Sequence, residues 1–107
     1  MIALRANVTF FTQSQGGLAP QYVEPVTPSI NLKGKLTSAR IFRAGNESIF
    51  ELGKEYLAFI ELPLGEYYEE SLEVGYEFKL QAASRVIGQG RILDIIRKNN
   101  TTSEEYY

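Results

Sequence analysis

Ser84-Arg-Val-Ile-Gly-Gln-Gly-Arg-Ile-Leu-Asp-Ile95 decides how this 107-residue chain is read. The stretch lies between apolar runs and reads as a β-strand. Gly88 and Gly90 fall inside it, and glycine weakens a strand. Either the Gly-x-Gly cradles a ligand such as a phosphate, or something approaches this backbone closely. A dinucleotide fingerprint requires a third glycine and a helix opening directly after the turn. Here Arg91-Ile-Leu-Asp-Ile-Ile continues as strand, and no Walker loop occurs. Residues 88 and 90 point to the same face of a strand. Two glycines there leave a strip of bare backbone, where a neighbouring strand packs close or a barrel coils sharply. The stretch is read as barrel closure and as a fold marker.

The rest of the chain supplies matching strands. In Leu4-Arg-Ala-Asn-Val-Thr-Phe-Phe-Thr12, Leu4, Ala6, Val8 and Phe10 share one face at period two. Residues 35–43 alternate again, with Leu36 and Phe42 on one face and Ala39 and Ile41 on the other. Residues 55–63 show little polar alternation, which predicts a strand buried on both sides for part of its length. A Gly53-Lys54 turn precedes it. Residues 75–81 set Tyr76, Phe78 and Leu80 against Glu77, Lys79 and Gln81. Residues 13–29 hold Pro20, Pro25 and Pro28, so a long irregular loop is expected there. Gly65-Glu-Tyr-Tyr-Glu-Glu-Ser-Leu72 is short and acidic and is read as a loop. The tally is five to seven short strands, no convincing helix, and turns every 8–15 residues, the pattern of an all-β barrel or sandwich. Residues 1–98 form one domain in this reading, and 99–107 a polar tail.

Composition narrows the chemistry. The chain is 44% apolar, with six phenylalanines and seven tyrosines, enough for a core at this length. It has no cysteine, which removes disulfides, thiol nucleophiles and Cys-ligated metals. It has no histidine, the commonest general base and metal ligand. No apolar leader precedes a small-residue cleavage site, and no run approaches the ~20 apolar residues of a membrane helix. A cytoplasmic location, no membrane association and no cofactor are expected. Glu66, Glu69, Glu70 and Glu73 cluster in one loop, whereas a glycosidase pair needs carboxylates facing across a cleft. No enzyme, no catalytic residues, no metal site and no small-molecule substrate are expected.

Charge is segmented. Residues 1–45 carry Arg5, Lys33, Lys35, Arg40 and Arg43 against Glu24, and residues 46–77 carry nine glutamates against Lys54. Residues 78–100 carry Lys79, Arg85, Arg91, Arg97 and Lys98 against Asp94. If the ends met in space, one side would be basic and the other acidic, able to steer a polyanion or an acidic protein. Tyr67-Tyr68 and Tyr106-Tyr107 have the look of contact aromatics.

Several pieces in order resemble the C-terminal β-barrel, the third domain, of bacterial elongation factor Tu. They are the strand from Leu4, the pair Gly16-Gly17 with Pro20, and Pro28-Ser-Ile-Asn-Leu. Gly53, Ile60-Glu-Leu-Pro63, Leu72-Glu-Val-Gly75-Tyr-Glu-Phe78 and Arg85-Val-Ile-Gly88-Gln-Gly90 continue the match, which covers roughly residues 4–97. The resemblance implies a six-stranded closed antiparallel barrel. It also implies contacts with the T-stem of aminoacyl-tRNA, the GTPase domain and the nucleotide-exchange factor. The family's basic residues after the glycine pair are replaced by Leu18-Ala-Pro20, its Gly-Tyr-Arg by Pro25-Val-Thr27, and its last Gly-Gly by Ala83-Ser84, while Arg85 is kept. The scaffold is retained and most tRNA-facing residues are exchanged.

The resulting expectation is a non-catalytic protein-binding module with a translation-factor-like barrel, one that mimics or associates with the elongation machinery. Its partner residues would be Leu18, Gln21, Tyr22, Tyr67 and Tyr68, on loops 13–29 and 64–74. The alternative is an RNA- or tRNA-binding domain using Arg40, Arg43, Arg85 and Arg91 on phosphates.

Overall fold

A computed structural model describes residues 1–16 and 20–97. The strands are β1 (Ile2–Phe10), β2 (Gln21–Val23), β3 (Ser29–Leu32), β4 (Lys35–Ser38), β5 (Arg40–Arg43), β6 (Ile49–Glu51), β7 (Glu55–Leu62), β8 (Glu77–Ala82) and β9 (Arg85–Arg97). Seven make one antiparallel sheet in the order β4-β3-β8-β9-β1-β7-β5, and β2 with β6 makes a separate two-stranded ribbon. The large sheet curls into a half-barrel. The chain is all-β, as its alternating patterns predict.

β1 lies inside the sheet, between β7 and β9. It pairs with β7 from Ile2↔Leu62 to Thr9↔Glu55, and with β9 from Ile2↔Arg97 to Phe10↔Gly88. Its inward set Ile2, Leu4, Ala6, Val8 and Phe10 is buried, so the period-two reading gives the core face directly. Val26, Ile30, Leu32, Ala39, Ile41, Phe50, Ala58, Ile60, Leu62, Leu72, Phe78, Leu80, Ile87 and Ile92 complete the core.

β9 bends because of its sequence. Arg5↔Asp94 is followed by Ala6↔Ile92, which leaves Leu93 as an extra residue against β1. Leu80↔Gly88 and Gln81↔Val86 leave Ile87 extra against β8. Each bulge adds twist and bend to a 13-residue strand. The glycines let its neighbours close in. A Cβ on Gly90 would stand 2.4 Å from Asn7 O and 2.5 Å from the Phe78 ring, and one on Gly88 2.7 Å from Thr9 O. The bare strip is thus filled by the β1 backbone and by core aromatics.

Three local expectations are corrected. Residues 13–29 are not a uniform irregular loop: they hold a 3-10 turn at Gln13–Gln15, strand β2, and Val26 bridged to Ile41. The cause is long-range pairing of Tyr22 with Phe50, which local proline content does not reveal. Gly65–Ser71 is a 3-10 helix rather than a loop. Gly65 starts it against Ile2, where a Cβ would be only 2.7 Å from the Ile2 Cβ. Residues 55–62 are buried on one side only: Ala58, Ile60 and Leu62 face the core, while Leu57 and Phe59 are 41% and 42% exposed. The strand total is nine because β2 and β6 are short and because the run 35–43 divides at Ala39. The tail expected at 99–107, with Tyr106 and Tyr107, lies outside the described residues.

Candidate functional site

The candidate partner residues fall at opposite ends of β1. Tyr22 stacks on Phe10 at 4.6 Å between ring centroids, beside a Phe10–Phe50–Tyr56 aromatic series. Gln21 is exposed and Tyr22 half-buried. The Tyr22 hydroxyl is buried without a hydrogen-bond partner among the described residues. Tyr67 and Tyr68 belong to the 3-10 helix that packs on Ile2. Eight residue steps of β1 separate the two groups by roughly 26 Å at ~3.3 Å per residue. Tyr67 is 81% exposed. Tyr68 instead packs on the core, with its hydroxyl 3.5 Å from Leu36 O. Leu18 lies outside the described residues. The four described residues therefore offer two separate contact points, not one.

The acidic 3-10 segment is fastened to the sheet. Glu69 pairs with Arg97 at 3.2 Å and Glu73 with Lys33 at 3.4 Å, while Glu66 meets the Met1 amino group. The hydrogen bond to that ammonium holds the Glu66 carboxyl below its ordinary value. A shallow cavity of about 500 Å³ runs along the segment, lined by Lys35, Glu66, Tyr67, Tyr68, Glu69, Glu70 and Ser71. Among the described residues no group of three or more carboxylates is placed to hold a metal ion.

The candidate phosphate-binding arginines are dispersed. Arg40 pairs with Glu61 at 3.2 Å, and Arg91 lies 3.8 Å from Glu77. Arg43 is employed inside the fold. Its guanidinium lies 4.4 Å from the centre of the Tyr56 ring and donates to Glu47 Oε2 at 2.8 Å and to Ile49 O at 3.0 Å. Its backbone N–H donates to Glu24 Oε2 at 2.6 Å. Arg85 has no ion-pair partner among the described residues. The sheet order explains the pattern. β7, from the acidic middle of the chain, sits between β1 and β5 from the basic N-terminal part. The two basic segments meet through β1–β9 and β3–β8, and glutamates of the acidic segment reach their cations in the pairs Arg40–Glu61, Lys33–Glu73 and Arg97–Glu69.

The outer faces differ in chemistry. Over β1, β9 and β8, a groove of about 400 Å³ is lined by polar side chains including Asn7, Thr9, Gln89, Lys79 and Arg91. Lys79 Nζ donates to Gln89 Oε1 at 2.9 Å. Over β7 and β5, Phe59 stands directly across from Phe42, and Leu57 follows on the same face. The sequence reading took the apolar run here for a strand buried on both sides, and the structure leaves its outer face partly exposed at Leu57 and Phe59. At the turn into β7, Lys54 Nζ donates to Glu51 Oε2 at 2.9 Å. That contact holds the Glu51 carboxyl below its ordinary value and raises Lys54.

No family model matches the chain, and no curated protein matches it. No helix among the described residues is long and apolar enough to cross a membrane.

Proposed function

We propose that the chain is a non-catalytic protein-binding module. Its scaffold is a closed six-stranded barrel of the kind found in the C-terminal domain of elongation factor Tu, and it associates with or mimics part of the elongation machinery. Closure is supported by connectivity. β4 and β5, the outermost strands of the sheet, are separated only by Ala39. Ala39 is buried, and its N–H donates to Pro28 O. Taken as one bent strand, residues 35–43 ladder with β3 at one end and with β7 at the other, which leaves six strands in a ring.

The observation that carries protein binding is the outer face of β7. A strand apolar on both faces normally has both faces covered. Here Leu57 and Phe59 are apolar, adjacent on one face, and about two-fifths exposed. Contiguous apolar surface with a charged rim is the ordinary composition of a protein contact. Arg40 and Glu61 supply that rim at one end of the strip. RNA binding draws less support, because Arg40, Arg43 and Arg91 each have a glutamate partner.

Purified chain titrated against a translational GTPase, its exchange factor and aminoacyl-tRNA tests the reading. Binding to one of the proteins, weakened by Phe59→Ser, is expected. Binding to tRNA alone, with steep salt dependence, would transfer the function to nucleic acid. Binding to none of the three would overturn the association with the elongation machinery.

A further inference from the structure

The β2–β6 ribbon has two outer edges, and they are treated differently. Glu24 N–H donates to Ser48 O at 2.8 Å, and Tyr22 faces Phe50 two residues earlier. Alternation along an antiparallel pair then turns the peptide groups of Gln21 and Val23 away from β6, and those of Ile49 and Glu51 away from β2. On the β6 edge two of the four outward groups have side-chain partners. Arg43 Nη1 donates to Ile49 O, and Glu51 N–H donates to Tyr56 OH at 3.2 Å. On the β2 edge, no described residue bonds the outward N–H or C=O of Gln21 or Val23. Both residues are exposed, Val23 at 56%.

A cavity of about 410 Å³ adjoins this edge. Tyr22, Val23, Val26 and Pro28 line one side, and Ala82 and Ile87 from the β8–β9 hairpin line the other. No carboxylate, ammonium or guanidinium lines it.

We propose that the outer edge of β2 is a strand-addition site. It takes an extended, uncharged segment of a protein partner, which continues the ribbon as a third strand and places one apolar side chain in the cavity. The proposal rests on the protein-binding reading above and names the partner's chemistry. An unpaired edge is a template for another chain, and in such complexes main-chain bonds hold while pockets for alternate side chains select. The segment is uncharged because a charge placed in this lining would lose water and find no counter-charge. It is short because Pro20 and Pro25 bound the edge, and proline has no N–H to offer.

A heptapeptide display library panned on the full chain supplies the probe, and the tightest peptide is resynthesised. Val23→Pro removes an outward N–H and leaves the β6 ladder intact. It should preserve the circular dichroism spectrum and weaken the peptide about tenfold or more, the loss expected for one or two hydrogen bonds. Ala82→Phe, which fills the cavity and leaves the β2 sequence and its outward N–H groups unchanged, should weaken it similarly and stands in if the proline variant does not fold. N-methylation of the peptide at alternate residues should abolish binding, and methylation at the intervening residues should not. The proposal is overturned if no peptide is enriched, or if affinity is indifferent to both variants. It is also overturned if the edge instead pairs with a second copy, seen as a dimer in sedimentation that Val23→Pro dissolves. Peptides lost with Phe59→Ser but kept with Val23→Pro would sink strand addition while leaving protein binding in place.

Discussion

β7 and β9 lie on either side of β1 and distribute their apolar surface in opposite ways. β9 presents almost no side chain inward at Gly88 and Gly90, where Phe10, Phe78 and the β1 carbonyls take the room. Around Gln89 and Arg91 its outer face is polar, and its exposed apolar residues, Val86 and Ile96, lie toward its two ends. β7 fills the core with Ala58, Ile60 and Leu62 and still turns Leu57 and Phe59 outward. The residues of β9 answer to constraints inside the chain. The outer residues of β7 meet only the neighbouring strands and solvent, so β9 bears on how the sheet curls and β7 on what the sheet can contact.

The contrast is tested most severely on β9. Gly90→Ala should destabilise by about 3 kcal/mol, the upper range for overpacking, because both a β1 carbonyl and the Phe78 ring must move. Gly88→Ala should cost about 2 kcal/mol, since only Thr9 O is closer than 3 Å. Urea unfolding followed by circular dichroism measures both, and near-neutral values would mean the bare strip is not a packing requirement. The turns into the two strands also differ. Ala83, at φ 55°, carries a side chain in the left-handed region just before β9. Ala83→Gly should therefore stabilise by about 1 kcal/mol in the same assay.

On β7, Phe59→Ser should change stability by less than about 1 kcal/mol, whereas Ile60→Ala beside it should cost about 2–4 kcal/mol. Equal losses would show that the outer face is as enclosed as the inner one and would remove the contrast. The smallest effect lies in the turn entering β7. Lys54 depresses the Glu51 carboxyl, so this pair stabilises above the carboxylate range and its contribution is lost as pH falls through the lowered Glu51 value. Glu51 raises Lys54, so the contribution is also lost as pH rises through the raised Lys54 value. Lys54→Gln should return Glu51 toward its ordinary value in a carboxyl-carbon NMR titration, with little change in stability because both groups are exposed.

Much of the fold was legible because β-strands alternate. Leu4, Ala6, Val8 and Phe10 face inward as expected, and Leu36 and Phe42 turn outward while Ala39 and Ile41 are buried. β2 and β6 were not legible. Each has three residues, too few for periodicity, and each exists only because the other lies opposite. The candidate site was less legible than the fold. Tyr67 is exposed as its acidic neighbours suggest, but no local pattern told that Tyr68 would pack on the core. The arginines were visible, but their glutamate partners across the sheet were not, because strand order decides which charges meet.

The place of β1 between β7 and β9 has a consequence for how the protein is made. β1 is synthesised well before the strands it pairs with, since Ile2 waits for Leu62 and for Arg97. Contacts that distant in sequence form slowly, because a long loop must close before they yield any stabilisation. Until β7 has emerged both edges of this apolar strand are open, and until β9 follows one still is, a form apt to pair with a stranger. In the folded molecule that strand is enclosed between β7 and β9, so its protection from aggregation is completed only when β9 pairs with it.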